Sequence, residues 1–140
     1  PFAVRLRTLL ADLGEGGELE DVAGAARRIH VQRVQLDAAI SASSVPKLVA
    51  EREVAGDDGE RASIDAHIEA IQAAIVSRDR LLSQERELMR SLERLQLARL
   101  QSADGDLTAE LTTLRQRLDA ESEVERRLAA ARQASRQRQS

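Results

Sequence analysis

From Glu60 to Ser140 the chain holds no proline and one glycine, Gly105. Glycine and proline are the residues that interrupt helices most strongly. The stretch therefore reads as long helix with a single break. That break is "SADGD" (102–106), a turn in which Asp104 or Asp106 can cap the helix that follows. The spacing predicts one helix of roughly 43 residues from about Glu60 to Ser102, about 64 Å long at 1.5 Å per residue. A last helix follows from about Asp106 to the mid-130s. "RQASRQRQS" then frays into a basic, polar tail that is solvated or touches phosphate or an acidic partner.

Both helices carry apolar rows at heptad-like spacing. In the last helix Leu107, Leu111, Leu114 and Leu118 recur at 4-3-4 intervals, and the row continues less cleanly to Leu128. In the long helix Ile64, Ile68, Ile71 and Ile75 do the same. Arg78 breaks that row, and a second one begins at Leu81 and passes through Leu88, Leu92 and Leu95. The shift is a three-residue slip of the heptad. Arg78 and Glu85 lie on the continuation of the isoleucine row. They are either a buried polar device that fixes register or edge residues that reach for solvent.

A short turn makes the two helices antiparallel. Folding at residue 104 then places Leu114 near Leu95, Leu118 near Leu88 and Leu92, and Leu128 near Leu81. Ile64, Ile68, Ile71 and Ile75 are left as a partner or dimer seam. Their cover is the N-terminal region, a second copy, or chain beyond Ser140.

Residues 1–56 follow a different grammar, short helical patterns separated by turn signals. Phe2, Leu6, Leu9, Leu10 and Leu13 share one helical face. "GEGG" (14–17) ends that helix, because glycine enters the left-handed region without strain. A second helix is expected from about Glu18 to Ile29, with Leu19, Val22, Ala25, Ala26 and Ile29 inward. After a break at His30-Val31-Gln32, a third runs from about Gln32 to Ser41, with Leu36, Ala39 and Ile40 inward. "SASSVPK" (41–47) leads into a fourth, with Pro46 in its first turn and Leu48 and Val49 inward. Asp57 followed by Glu60 has capping-box spacing at the start of the long helix.

Composition narrows the function classes. Phe2 is the only aromatic residue and there is no cysteine. A core of Leu, Ala, Ile and Val suits helices meeting along narrow seams, and neither disulfides nor thiolate chemistry is available. His30 and His67 have no metal-ligand spacing; His30 reads as a turn residue and His67 as solvent-facing. No cofactor is expected. No apolar run approaches a membrane span and no signal peptide opens the chain, so a cytoplasmic location is expected. A start at Pro1 fits a trimmed chain or a piece of a longer one.

Charge is divided. Residues 1–58 carry seven basic and ten acidic groups, whereas residues 59–140 carry fourteen of each. Neither half has the bulk positive charge of a strong nucleic-acid binder. No Gly-rich phosphate loop and no Ser-His-Asp grouping can be placed, and the many carboxylates interleave with arginines as surface pairs. No enzyme is expected.

The order "FAVRLRTLLADLG", "EDVAGAARRI", a turn, a further helix and a "VP" turn resembles the lambda-repressor-like helix-turn-helix domains of the XRE family, in the form common in high-GC actinobacteria. Residues 2–58 fit that order. Ala26 matches the small residue at the helix crossing, Val31 the apolar turn residue, and Leu36 the inward aliphatic of the recognition helix. Ile29 and Ile40 fit the remaining inward places. The chain departs from the pattern at His30, where glycine is usual, and at Gln32, where Ser or Thr usually caps. The resemblance implies that Gln32, Arg33 and Gln35 face the major groove, where Gln pairs with adenine and Arg with guanine. It implies that Arg27, Arg28 and Lys47 hold phosphates, although Arg27 and Arg28 equally suit a solvated helix face.

The sequence thus predicts an all-α protein: a small helix-turn-helix bundle (1–58) followed by a long antiparallel coiled-coil hairpin (59–140). The function it predicts is a DNA-binding transcriptional regulator whose hairpin dimerises or binds another helical protein. The alternative is a non-enzymatic interaction or scaffold module built on a degenerate helix-turn-helix fold and the coiled coil.

Overall fold

The structure, a computed structural model, describes residues 2–14, 17–101 and 107–139. The chain is all-α. Its helices are α1 (Phe2–Leu13), α2 (Gly17–Ser41), α3 (Val45–Glu53), α4 (Asp58–Gln101) and α5 (Thr108–Gln139). At 44 residues α4 is about 66 Å long. The turn expected at 102–106, with its capping Asp104 or Asp106, lies outside the described residues.

Several helix ends follow the local chemistry of the sequence. Gly14 stops α1 with φ +93°, a conformation that costs glycine little and other residues about 1–2 kcal/mol. Ser44 caps α3, its Oγ accepting from the backbone N–H of Lys47 at 3.3 Å, with Pro46 in the first turn. Asp57 caps α4. Its Oδ1 accepts from the backbone N–H of Glu60 at 2.7 Å, and the Glu60 carboxylate accepts in return from the backbone N–H of Gly56 at 3.2 Å. This is a variant of the capping box, with Asp in the usual Ser or Thr place and the Glu60 carboxylate reaching the N–H one residue before the cap.

The break expected at His30-Val31-Gln32 is absent. The second and third expected helices are one, α2, running unbroken for 25 residues. The physical reason is local. Residues 25–41 contain no glycine or proline, and no non-glycine residue among those described takes positive φ. Arg33 and Asp37 form an i,i+4 ion pair across the expected second helix, which favours continuation. At the other end of the chain, the fraying expected after the mid-130s is also absent, since α5 stays helical to Gln139.

The molecule divides into two compact units, and their limits do not fall at residue 58. One unit takes α1 from Ala3, α2 up to Ala26, the end of α4 from Met89, and α5. The other takes Phe2 and residues Arg27–Leu88. Both limits fall inside unbroken helices, α2 and α4, so each of these helices contributes to two cores.

In the first unit four helical segments bury Leu6, Leu9, Leu19, Val22, Ala23, Ala26, Met89, Leu92, Leu95, Leu107, Leu114 and Leu118. Val22, Ala26 and Leu92 are wholly inaccessible. The helix directions follow from polar contacts. Thr112 donates to Glu18 at 2.7 Å and Arg115 approaches Asp21 at 3.5 Å, so α2 and α5 advance together. Arg5 pairs with Glu93 and Gln96 donates to Asp12, so α1 and α4 also advance together. Leu95 and Ala98 of α4 line one cavity with Ala109 and Leu114 of α5. Gln101 and Thr108 are seven positions apart, and seven residues span at most about 25 Å. The two helices therefore run antiparallel, with Leu114 beside Leu95 as the register predicts.

The second unit has a thinner core of Ala55, Ile71, Leu81 and Leu88, with Ile29, Leu36, Ile40, Ile64, Ile68 and Ile75 half-buried. His30 and Arg33 meet Glu85 while Asp37 meets Arg78, so α2 and α4 run antiparallel here. Arg52 of α3 donates to Asp65 at 2.6 Å, and Arg61 reaches the carbonyl of Ala55, closing the α3–α4 corner.

Candidate interaction surfaces

The residues expected to face DNA do not converge. At 100° per residue, Arg27, Val31, Val34 and Ala38 form one stripe of α2, with Arg28, Gln32 and Gln35 on its flank. Arg27, Arg28, Val31, Gln32, Val34, Gln35 and Ala38 are all exposed. Arg33 lies on the other side of the helix, with Ile29, Leu36 and Ile40. Lys47 is exposed on α3, its backbone N–H spent on the Ser44 cap. The structure thus separates Arg33 from Gln32 and Gln35. Val31, expected inside a turn, is an exposed helical residue.

Arg33 instead belongs to an ionic cluster inside the second unit. Glu85 is 4% exposed, and both its carboxylate oxygens accept from Arg33 Nε, at 2.8 and 2.9 Å. His30 Nδ1 lies 3.1 Å from Glu85 Oε1, and its ring stacks on Phe2 at 5.1 Å between centroids. Arg33 Nη1 donates to Asp37 at 2.5 Å, and Arg78 lies 3.6 Å from the other Asp37 oxygen while pairing with Asp79. The hydrogen bond to Glu85, ahead of the cost of burial, holds the Arg33 guanidinium above its ordinary pKa. Among the described residues no buried side-chain nitrogen or oxygen lacks a hydrogen-bond partner. The cluster neutralises what it buries and fixes the register of α2 on α4. Glu85 is therefore the buried alternative of the two that sequence left open, whereas Arg78 sits at the edge. No pattern in the sequence announced His30 and Arg33 as its partners, because they lie 55 and 52 positions away.

The isoleucine row is partly covered within the chain. Ile71 is 7% exposed, and Ile64, Ile68 and Ile75 are half-buried. Of the hairpin seam, Leu81, Leu88, Leu92, Leu95, Leu107, Leu114 and Leu118 are buried and Leu111 is half-buried. Leu128 departs from the expected seam, being 38% exposed.

Two surfaces remain open in the first unit. One is the cavity between α4 and α5, about 540 Å³, whose walls mix Leu95, Ala98 and Leu114 with Arg94, Glu110 and Arg117. The other is the far half of α5. No α5 residue past Leu118 is buried, and every residue from Arg126 to Arg138 is exposed. Val124 and Leu128 are the large apolar side chains of that half. No His, Cys, Asp or Glu grouping able to hold a metal occurs among the described residues, and no described helix is long and apolar enough to cross a membrane.

No protein-family model, curated protein or solved structure matches the chain.

Proposed function

We propose that the chain is a non-enzymatic, helical protein-interaction module. The observation that carries this reading is the far half of α5. Past the last buried leucine, Leu118, α5 runs on for 21 residues, in which Glu121, Glu123 and Glu125 are half-buried and residues 126–138 are exposed. An isolated helix of that length is marginal in water, because most helical stability comes from packing an apolar face. Val124 and Leu128 supply such a face at i,i+4 spacing. A partner helix laid along it supplies the missing packing.

The regulator reading retains exposed Arg27, Arg28, Gln32, Gln35 and Lys47 as its support. It depends on a turn that α2 does not contain, and its central residue, Arg33, is engaged with Glu85 and Asp37. Fluorescence anisotropy with random duplex DNA separates the two readings. The interaction reading expects no salt-sensitive binding, and no difference between wild type and a Gln32→Ala/Gln35→Ala variant. Binding that weakens steeply with salt and falls in that variant favours the regulator.

The direct test is photo-crosslinking in cells from a benzophenone amino acid at position 128, with position 73, an exposed α4 site, as control. Adducts of defined mass from 128 and none from 73 are expected. An absence of adducts from 128, 124 and 97 alike removes the reading.

A further inference from the structure

The second half of α2 is patterned on two opposite sides. Ile29, Arg33, Leu36 and Ile40 recur at 4-3-4 spacing and are half-buried within the second unit. With 100° per residue, Arg27, Val31, Val34 and Ala38 form a row of the same spacing along the other side. This outer row is open, with Val31 53% and Val34 47% exposed. A surface helix ordinarily sets charged and polar residues opposite its buried stripe.

The outer face of α2 does not. The seven exposed residues within 31–41 are two valines, two glutamines, two alanines and a serine, and none is charged. The chain as a whole is 32% charged, so this stretch of surface is depleted of charge. Such depletion marks the centre of an interface rather than ordinary surface. Valine is also a poor choice for an exposed helical position, because its branched side chain loses rotamer freedom there. Two valines at seam spacing suit a face that another helix covers.

Charge returns at one end of this face. Arg27 and Arg28 are exposed, and among the described residues neither side chain has a hydrogen bond or an ion pair. From residue 25 to 42 the one acid is Asp37, which Arg33 and Arg78 engage. The complement to this face is an apolar stripe edged by carboxylates. A second copy of the face brings no carboxylate to Arg27 and Arg28 in either direction. Duplex DNA meets the two arginines but sets phosphates against Val31, Val34 and Ala38.

We infer that the outer face of α2, residues 27–41, is a docking surface for an acidic amphipathic helix of another protein. Val31, Val34 and Ala38 take the apolar stripe of that helix, and Arg27 and Arg28 take its carboxylates. This surface lies on a different helix from the far half of α5 and is tested separately, since crosslinks from position 128 report on α5 alone.

The probe is a fluorescent synthetic peptide of about 20 residues, long enough to hold a helix, with leucines at seam spacing and glutamates flanking them. A twin peptide carries lysines in place of the glutamates. Anisotropy of each is followed as the full chain is added at low salt. The glutamate peptide should bind about tenfold more tightly than the lysine peptide, and less tightly as salt rises. Val31→Ser/Val34→Ser should weaken the glutamate peptide about tenfold. Arg27→Glu/Arg28→Glu should reverse the preference, so that the lysine peptide binds the more tightly. That reversal is a gain of binding, which a misfolded chain cannot produce, and circular dichroism checks that the helices persist. No binding of the glutamate peptide at chain concentrations up to on the order of 100 µM overturns the inference. Binding that neither double variant changes also overturns it, by placing the peptide elsewhere on the chain. A dimer in sedimentation velocity that is lost in Val31→Ser/Val34→Ser overturns it in favour of a second copy. Random duplex DNA that displaces the peptide, and whose own binding is lost in Arg27→Glu/Arg28→Glu, overturns it in favour of nucleic acid.

Discussion

A carboxylate inside an apolar row destabilises a fold unless opposite charge and hydrogen bonds meet it there. At Glu85 that compensation comes from Arg33 and His30 on α2. Removing Arg33 leaves an uncompensated buried charge, so Arg33→Ala should lose roughly 3–5 kcal/mol of stability. Replacing both partners by apolar residues, Arg33→Met with Glu85→Leu, should recover most of the loss or exceed wild type. Urea denaturation of the three proteins decides the matter, and a double variant as weak as Arg33→Ala would mean that the apolar pair cannot fill the site. Arg33→Lys should rescue poorly, because one ammonium cannot reproduce the guanidinium's bonds to two carboxylates. The raised pKa of Arg33 sets the sign of its pH dependence. Its contribution is fully present below the ordinary arginine value and is lost only as pH rises through the still higher folded value. Stability between about pH 6 and 9 should therefore show no transition owed to Arg33. The same geometry makes Arg33→Ala a poor probe of DNA contact, since it would weaken binding by loosening the fold.

At the scale of elements, α2 shows where sequence reading and physics part. The apolar and small residues of 25–41 resemble a helix-turn-helix in their spacing, yet the span holds no glycine or proline and the helix runs through it to Ser41. His30 remains helical, and Val31 is left 53% exposed on the surface. Val31→Ala separates the two geometries. On an exposed helix position it should be neutral or gain a few tenths of a kcal/mol, because alanine is the better helix former. In an apolar turn it would lose about 1–3 kcal/mol of packing. Chemical denaturation reads the difference directly. Where real breakers were present, the sequence was legible: Gly14, Ser44 with Pro46, and Asp57 with Glu60 all end or begin helices by the chemistry their types dictate. Gly14→Ala should lose about 1 kcal/mol from backbone strain alone, since an added Cβ there meets nothing within 4 Å. Glu85 was half legible, because a charged residue in an apolar row marks a special place without naming the partners that satisfy it.

At the scale of the molecule, the leucine rows encoded the register of α4 on α5, and Leu95 and Leu114 do share one cavity wall. The division into units was not encoded so plainly. A helix of 44 residues is long enough to serve two cores, and nothing in its heptads says where one core ends. The row on α5 likewise continues to Leu128 in sequence while burial ends at Leu118, because the positions between, Glu121 and Glu125, are acidic. That difference predicts opposite behaviour for two leucines of the same rows. Leu92→Ala removes a wholly buried side chain and should cost roughly 2–5 kcal/mol at any protein concentration. Leu128→Ala removes one that is 38% exposed in the single chain. In dilute solution it should shift stability by less than about 1 kcal/mol. The effect stays small because truncating a side chain already open to solvent on one side leaves no enclosed cavity. Thermal melts of both variants at one protein concentration measure this. A Leu128→Ala deficit as large as that of Leu92→Ala would instead place Leu128 in the core, and α5 would then be packed well past Leu118.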